Sequence, residues 1–273
     1  MKAIFFAAVL CAAFAVSVSA QEGKPIFDMA MTQLENHDIE GAMTSFRRFL
    51  AIFPDDPAAN YNLGLCFYEK KEYERAVPAF RRSIRSRPDF VEAYIYLGNS
   101  LDNVNKPDLA MAAYKKALEY EPKNAHAHEE IGLAYEKQKN FTEAAAAYQH
   151  AADLDKKGFW NFRALARSYY NSGNFAAAVP AYKSAIAIDA ANPTNHLYLA
   201  YSLVNLKRYS EAIPEFEAAI ALRPRDAYAI NGLGGTYVDM GNIEMARKQH
   251  ARLVTLNKEL AAKLLAKIDT AKH

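Results

Sequence analysis

A chain of 273 residues with 33 basic and 31 acidic side chains has a formal charge of only +2, too little for the electrostatic footprint of a general nucleic-acid binder. Apolar residues make up 51%, with 17 Tyr and 15 Phe, which excludes a disordered chain and leaves material for a substantial core. The first twenty residues stand apart from the rest. Lys2 gives a positive start, Ile4 to Val18 is apolar without a charge, and Val18-Ser19-Ala20 places small residues ahead of Gln21. That is the pattern of a signal peptide over residues 1–20, and the apolar run is shorter than the roughly 20 residues that span a bilayer. Cleavage there removes Lys2 and no acid, leaving 32 basic against 31 acidic side chains and Cys66 as the single thiol. No disulfide framework is then expected, and Cys66, between Leu65 and Phe67, reads as a small buried hydrophobe. The expected location is outside the cytoplasm, in the periplasm of a Gram-negative cell; secretion, or anchoring by an uncleaved N-terminal helix, is the alternative.

From residue 23 onward the sequence repeats itself. Stepping by 34 from Ala42 gives Ala76, Ala110, Ala144, Ala178, Ala212 and Ala246. Four residues after each stands Phe46, Phe80, Tyr114, Tyr148, Tyr182 or Phe216, and the column fails only at His250. Twelve residues before each alanine is a small residue: Ala30, Gly64, Gly98, Gly132, Ala166, Ala200 and Gly234. Pro54, Pro88, Pro122 and Pro224 close four repeats, with Lys156, Ala190 and Lys258 in that column elsewhere. The period divides the chain into seven repeats over 23–56, 57–90, 91–124, 125–158, 159–192, 193–226 and 227–260. Each period has room for two helices of about a dozen residues and two turns, with small residues where the helices approach and an aromatic filling the space beside them. Turns are marked by Asn105-Lys106-Pro107, Ser172-Gly173-Asn174 and Met240-Gly241-Asn242. Pro78, Pro180 and Pro214 follow their column alanines by two residues, near the first turn of the second helix. Residues 261–273, with Leu264, Leu265 and Ile268 among lysines, read as a helix that caps the array.

The alanine, glycine, aromatic and proline columns resemble the tetratricopeptide repeat family, over nearly all of the chain beyond the leader. The resemblance implies an all-α fold, a right-handed alpha-alpha superhelix of the tetratricopeptide solenoid type. It also implies a non-catalytic role in which first helices line a concave groove that holds a peptide or a partner's helix. On those helices, steps of three and four bring Trp160, Arg163, Arg167 and Tyr170 to one stripe, and place Tyr198 and Tyr201 on the next. Asn99 and Tyr61 take the corresponding places earlier in the chain. Trp, Tyr and Arg are the residue types that concentrate interface energy, and these eight are the expected partner-binding residues. Relatives that clamp a chaperone tail use paired Lys and Asn; Phe27, Met31, Asn62, Glu92 and Tyr96 stand at those places here, so that ligand is not expected. The alternative is a carrier enclosing a small molecule or lipid as the partner of a transporter.

Little else in the sequence points to chemistry. His126 and His128 are two apart and face different sides of a helix, so a shared metal is not expected. No glycine-rich phosphate loop, nucleophilic triad or cofactor motif is legible, and an enzyme is not expected. A basic ladder does recur at the 34-residue step, as Arg47-Arg48, Arg81-Arg82 and Lys115-Lys116 with Arg85 and Arg87, and suits an acidic partner or an anionic surface. One prediction follows from the leader: mass spectrometry of exported protein should find Gln21 at the N-terminus, and an intact segment from Met1 to Ala20 on membrane-bound material would exclude cleavage.

Overall fold

Residues 23–156 and 158–271 are described by the structure, a computed structural model, and every regular element among them is an α-helix. The expected leader lies outside these residues. Helix α1 covers 23–35. It is followed by α2 (Ile39–Ile52), α3 (Pro57–Glu69), α4 (Tyr73–Ser86), α5 (Val91–Asn103), α6 (Pro107–Tyr120) and α7 (Ala125–Lys137). The remainder are α8 (Phe141–Leu154), α9 (Phe159–Asn171), α10 (Phe175–Ile188), α11 (Pro193–Asn205), α12 (Tyr209–Leu222), α13 (Ala227–Asp239), α14 (Ile243–Leu256) and α15 (Lys258–Thr270). The chain forms two compact units, divided within α7 between Glu130 and Ile131. Consecutive helices pair within each unit as hairpins, the odd-numbered helix first, and the whole is an all-α fold of the tandem-hairpin solenoid class.

Local chemistry fixes where each helix starts and stops. Asp56, Asn174, Asn192, Asp226 and Asn242 cap helix N-termini by accepting a backbone N–H with the side chain. Within every hairpin the turn passes through one residue of positive φ: His37, Lys71, Asn105, Lys139, Gly173, Lys207 and Gly241, spaced by the same 34. At the α3–α4 turn Glu72 N donates to the Phe67 carbonyl and Lys71 N to that of Tyr68, both at 2.8 Å, closing the helix by the Schellman pattern. A Cβ on Gly173 or Gly241 would meet nothing within 4 Å, so backbone conformation alone asks for glycine there. Pro78, Pro180 and Pro214 differ from their expected placement. Each is the sixth residue of its helix, beyond the four N–H groups that are free at a helix start, so each removes one bond to the carbonyl four residues back.

Packing follows the columns. Ala76 and Ala110 in the first unit and Ala144, Ala178, Ala212 and Ala246 in the second are all fully buried. The column aromatics Phe80, Tyr114, Tyr148 and Phe216 are at most 1% exposed; the first three are each seated on the glycine of their own hairpin's first helix, and Phe216 closes on Gly232 of the following helix, α13. A Cβ added to Gly98 would stand 2.3 Å from the Tyr114 ring, a distance real side chains do not adopt, so only glycine lets that ring close on α5. In the last hairpin His250 supplies no such ring. Leu264 of α15 takes the place, since a Cβ on Gly234 would lie 2.5 Å from its methyl carbon. Ala261, Leu264 and Ile268 are buried, Asn257 caps α15 by accepting from Leu260 N, and Lys267 donates to the Gly235 carbonyl and to Asp239. The terminal helix thus closes the apolar end of the second unit.

Ala144→Leu should destabilise the second unit, because the methyl of Ala144 is fully buried against neighbouring helices. Overpacking of this kind costs roughly 1–3 kcal/mol, readable as a lower denaturant midpoint. An unchanged midpoint would mean that the alanine column is not a packing seam.

Candidate functional site

Four of the expected binding residues lie on α9 at spacings of three, four and three, which puts them on one face. Trp160 is 61% exposed, and the Arg163 guanidinium lies 4.2 Å over its ring. Burial, and then the charge of Arg167, hold Arg163 below the usual arginine range. Arg167 has the opposite environment. Its Nε and Nη2 donate to both oxygens of Glu136, at 3.0 and 2.6 Å, and this carboxylate raises it. Glu136 also accepts from the Tyr148 hydroxyl at 3.1 Å, so α7, α8 and α9 are tied together by one carboxylate. Glu136 was not legible as a site residue, although it stands 31 residues before Arg167, one repeat less one helical turn, which makes it a cross-helix neighbour.

The tyrosines continue this face onto α11. Tyr170 meets Tyr198 edge-on at 5.0 Å, Tyr198 stacks on Tyr182 at 6.2 Å, and Tyr201 lies edge-on to Phe216 at 5.2 Å. The Tyr201 hydroxyl donates to the Tyr228 carbonyl at 2.8 Å. Burial, reinforced by neighbouring phenols, pushes the Tyr170, Tyr182 and Tyr201 hydroxyls up, so they are neutral donors at any physiological pH. Beyond Tyr201 the face opens into a cleft of about 230 Å³ lined by Asn231, Gly232, Gly235, Asp239 and Lys263.

Tyr61 and Asn99 belong to the first unit. Tyr61 contacts Phe90 at 4.7 Å and Tyr96 at 6.0 Å, and Tyr68 meets Tyr96 edge-on at 5.4 Å. Burial first, and then Glu130 nearby, push Tyr68 up to about 12. Asn99 is turned into the hairpin, 8% exposed, with its side-chain oxygen accepting from the Tyr114 hydroxyl at 2.6 Å. His126 Nε2 lies 3.2 Å from Glu130 and edge-on to Tyr96, whereas His128 Nε2 lies 3.1 Å from the Pro122 carbonyl. Cys66 is fully buried, and burial pushes its thiol up to about 11.

Consecutive helical hairpins at a constant step of 34 residues define a helical-repeat protein. The family model described as tetratricopeptide repeat matches residues 27–90, 96–158, 163–227 and 197–261, and the chain belongs to that family, whose members bind proteins or peptides. No protein of curated function matches the sequence. Among solved structures, the C-terminal part of a tetratricopeptide repeat protein from Cytophaga hutchinsonii is similar with a TM-score of 0.75 and 16% identity, over 88% of this chain and 99% of that one. YrrB, described as a tetratricopeptide protein with an unusual peptide-binding site, is similar with a TM-score of 0.62 and 24% identity, over 68% and 96%. The pilF protein of Pseudomonas aeruginosa is similar with a TM-score of 0.57 and 19% identity, over 77% and 97%. At these identities the likeness is one of fold. No helix among the described residues is long and apolar enough to cross a membrane.

The His126–Glu130 contact makes a checkable pH prediction. The Glu130 carboxylate raises His126 above its ordinary value, against the opposing effect of burial. Protonation is therefore favoured in the folded protein. The contribution to stability is complete below the unfolded value of about 6.5 and is lost as pH rises through the folded value. An NMR titration should show a raised His126 midpoint that falls back in Glu130→Gln; equal midpoints in the two proteins would refute the pairing.

Proposed function

We propose that this chain is a non-catalytic interaction scaffold of the bacterial envelope, and that the first-helix face of its second unit holds a peptide or a partner's helix. The observation that carries the reading is Trp160, 61% exposed beneath the Arg163 guanidinium on the face shared with Tyr170. A large ring left in water and held by stacking is a preformed anchor with little entropy left to lose on binding. The tyrosine row extends it with neutral hydroxyl donors and flat apolar faces. Arg167, bidentate to Glu136, fixes the wall from below. A segment with an acidic group near an aromatic or aliphatic side chain suits such a face best. YrrB shows that the shared fold accommodates a peptide site, and the composition of residues 1–20 supports the envelope as the setting. The carrier alternative asks for a closed apolar cavity. The cleft beside Tyr201, about 230 Å³, is instead bordered by Asp239, Lys263 and Lys267, and a second of about 350 Å³ beside Phe27, Phe49 and Phe53 is bordered by Lys24, Asp28 and Asp56; both are open to solvent.

Crosslinking in intact cells, followed by recovery of the chain, should identify the bound partner. Calorimetry with that partner should then show Trp160→Ala and Arg163→Ala each losing about 2 kcal/mol, about thirtyfold in affinity, with helicity and melting unchanged. Arg167→Ala discriminates less well, because it strips the largely buried Glu136 of its partner. Wild-type affinity in both single variants would place the partner on another surface.

A further inference from the structure

The basic ladder is not used by the groove, and all of it lies in the first unit. Arg47 and Arg48 on α2, Arg81, Arg82 and Arg85 on α4, and Lys115 and Lys116 on α6 are exposed. Lys116 pairs with Glu119 at 2.5 Å, and Arg47 lies 5.6 Å over the Phe67 ring. Arg48, Arg81, Arg82, Arg85 and Lys115 make no ion pair among the described residues. Acids on the same helices are set apart. Glu40, Glu74 and Asp108 occupy first turns, where the helix dipole favours them, and Glu40 is engaged by Lys70. The middle and final turns of three successive second helices therefore form a predominantly cationic band, in which Glu119, paired with Lys116, is the one acid.

The repeat does not demand that band. At the equivalent places of the second unit stand Gln149-His150, Lys183-Ser184 and Glu217-Ala218. Between the cations stand the small exposed residues Thr44, Ala51, Pro78, Ser86 and Ala112, with the larger Ile52 and Tyr120 exposed at the ends of α2 and α6. No exposed aromatic interleaves the arginines for a nucleic-acid base to stack on. A shaped protein partner draws its energy from an aromatic or arginine anchor seated in a recess, whereas the exposed ring of this band, Tyr120 at the end of α6, lies stacked on Tyr94 at 5.9 Å. A plane of phosphates asks only for a density of unpaired cations that small neighbours allow to approach.

We propose that the second-helix band of the first unit, centred on Arg48, Arg81, Arg82, Arg85 and Lys115, docks on an anionic lipid surface. The docking is electrostatic and uses none of the residues of the Trp160 face. Each cation near such a surface contributes about fivefold in partitioning, and screening beyond a Debye length of about 8 Å at physiological ionic strength makes the contact salt-sensitive.

The test is sedimentation of the full chain, with whichever N-terminus it carries from the cell, on phosphatidylcholine vesicles with and without roughly one third phosphatidylglycerol. The quantity read is the ratio of the two affinities, in which any apolar contribution from the N-terminal segment cancels. Wild type should favour the anionic vesicles at least about tenfold, and high salt should abolish the preference. Arg47→Ser with Arg48→Ser, Arg81→Ser and Arg82→Ser should lower the ratio at least about tenfold at unchanged helicity, the matching four Arg→Lys changes should keep it, and Trp160→Ala should not alter it. A wild-type ratio near one overturns the proposal, as does a preference undiminished in the Ser variant. Binding to soluble polyglutamate without binding to anionic vesicles overturns it in favour of an acidic protein partner.

Discussion

The seating of one aromatic ring on a position with little or no side chain is the contact on which the rest of this protein depends. Tyr114 closes on the bare Cα of Gly98, and Phe80 does the same at Gly64. Because the ring is buried and the small residue cannot be enlarged, the two helices of a hairpin have one distance and one register available to them. Everything outside the hairpin inherits that geometry. The first helices present one face and the second helices another, each at a fixed step along the chain. Where the ring is missing, at His250, the molecule imports a leucine from the following helix rather than leave Gly234 uncovered.

This arrangement separates stability from recognition. The residues that hold a hairpin together are the alanines, glycines and rings between its helices, while the positions that point away from that seam are free to vary from repeat to repeat. The variation is visible in the second-helix positions, cationic in the first three repeats and neutral or mixed afterwards. It is equally visible on the first-helix positions, where Trp160 and Arg163 occur once and tyrosine recurs. Repetition supplies a lattice of addresses, and departures from it carry the specificity.

Much of this was legible before any coordinates. The period, the alanine and aromatic columns and the hairpin architecture rest on spacing alone, which a helical pair converts directly into contacts. Side-chain direction within a helix was less accessible. Asn99 shares the stripe of the first-helix face by its position, yet it sits next to Gly98, and the Tyr114 ring brings a hydroxyl to it that turns the amide inward. Arg167 shares a stripe with Arg163 but meets a carboxylate one repeat back, whereas Arg163 meets the ring three residues before it. The turns show the limit of composition. Asn105, Gly173 and Gly241 signal a left-handed residue, but His37, Lys71, Lys139 and Lys207 adopt the same conformation with side chains that do not advertise it. Their column, rather than their chemistry, was the available clue. The three internal prolines stand deeper in their helices than their spacing suggests for a related reason, since a period locates a residue without saying how many turns of helix precede it.

Cys66 gives the first unit a property of its own. The thiol is fully enclosed in α3 and pushed up to about 11, so in the native state it is shielded from oxidants both sterically and by its protonation. Alkylating reagents reach it only when α3 parts from its neighbours. Its rate of modification is then a clock for local opening of that unit, with the second unit, which holds no cysteine, remaining silent. The chain thus carries an internal reporter that distinguishes breathing at one end from global unfolding, without an added label.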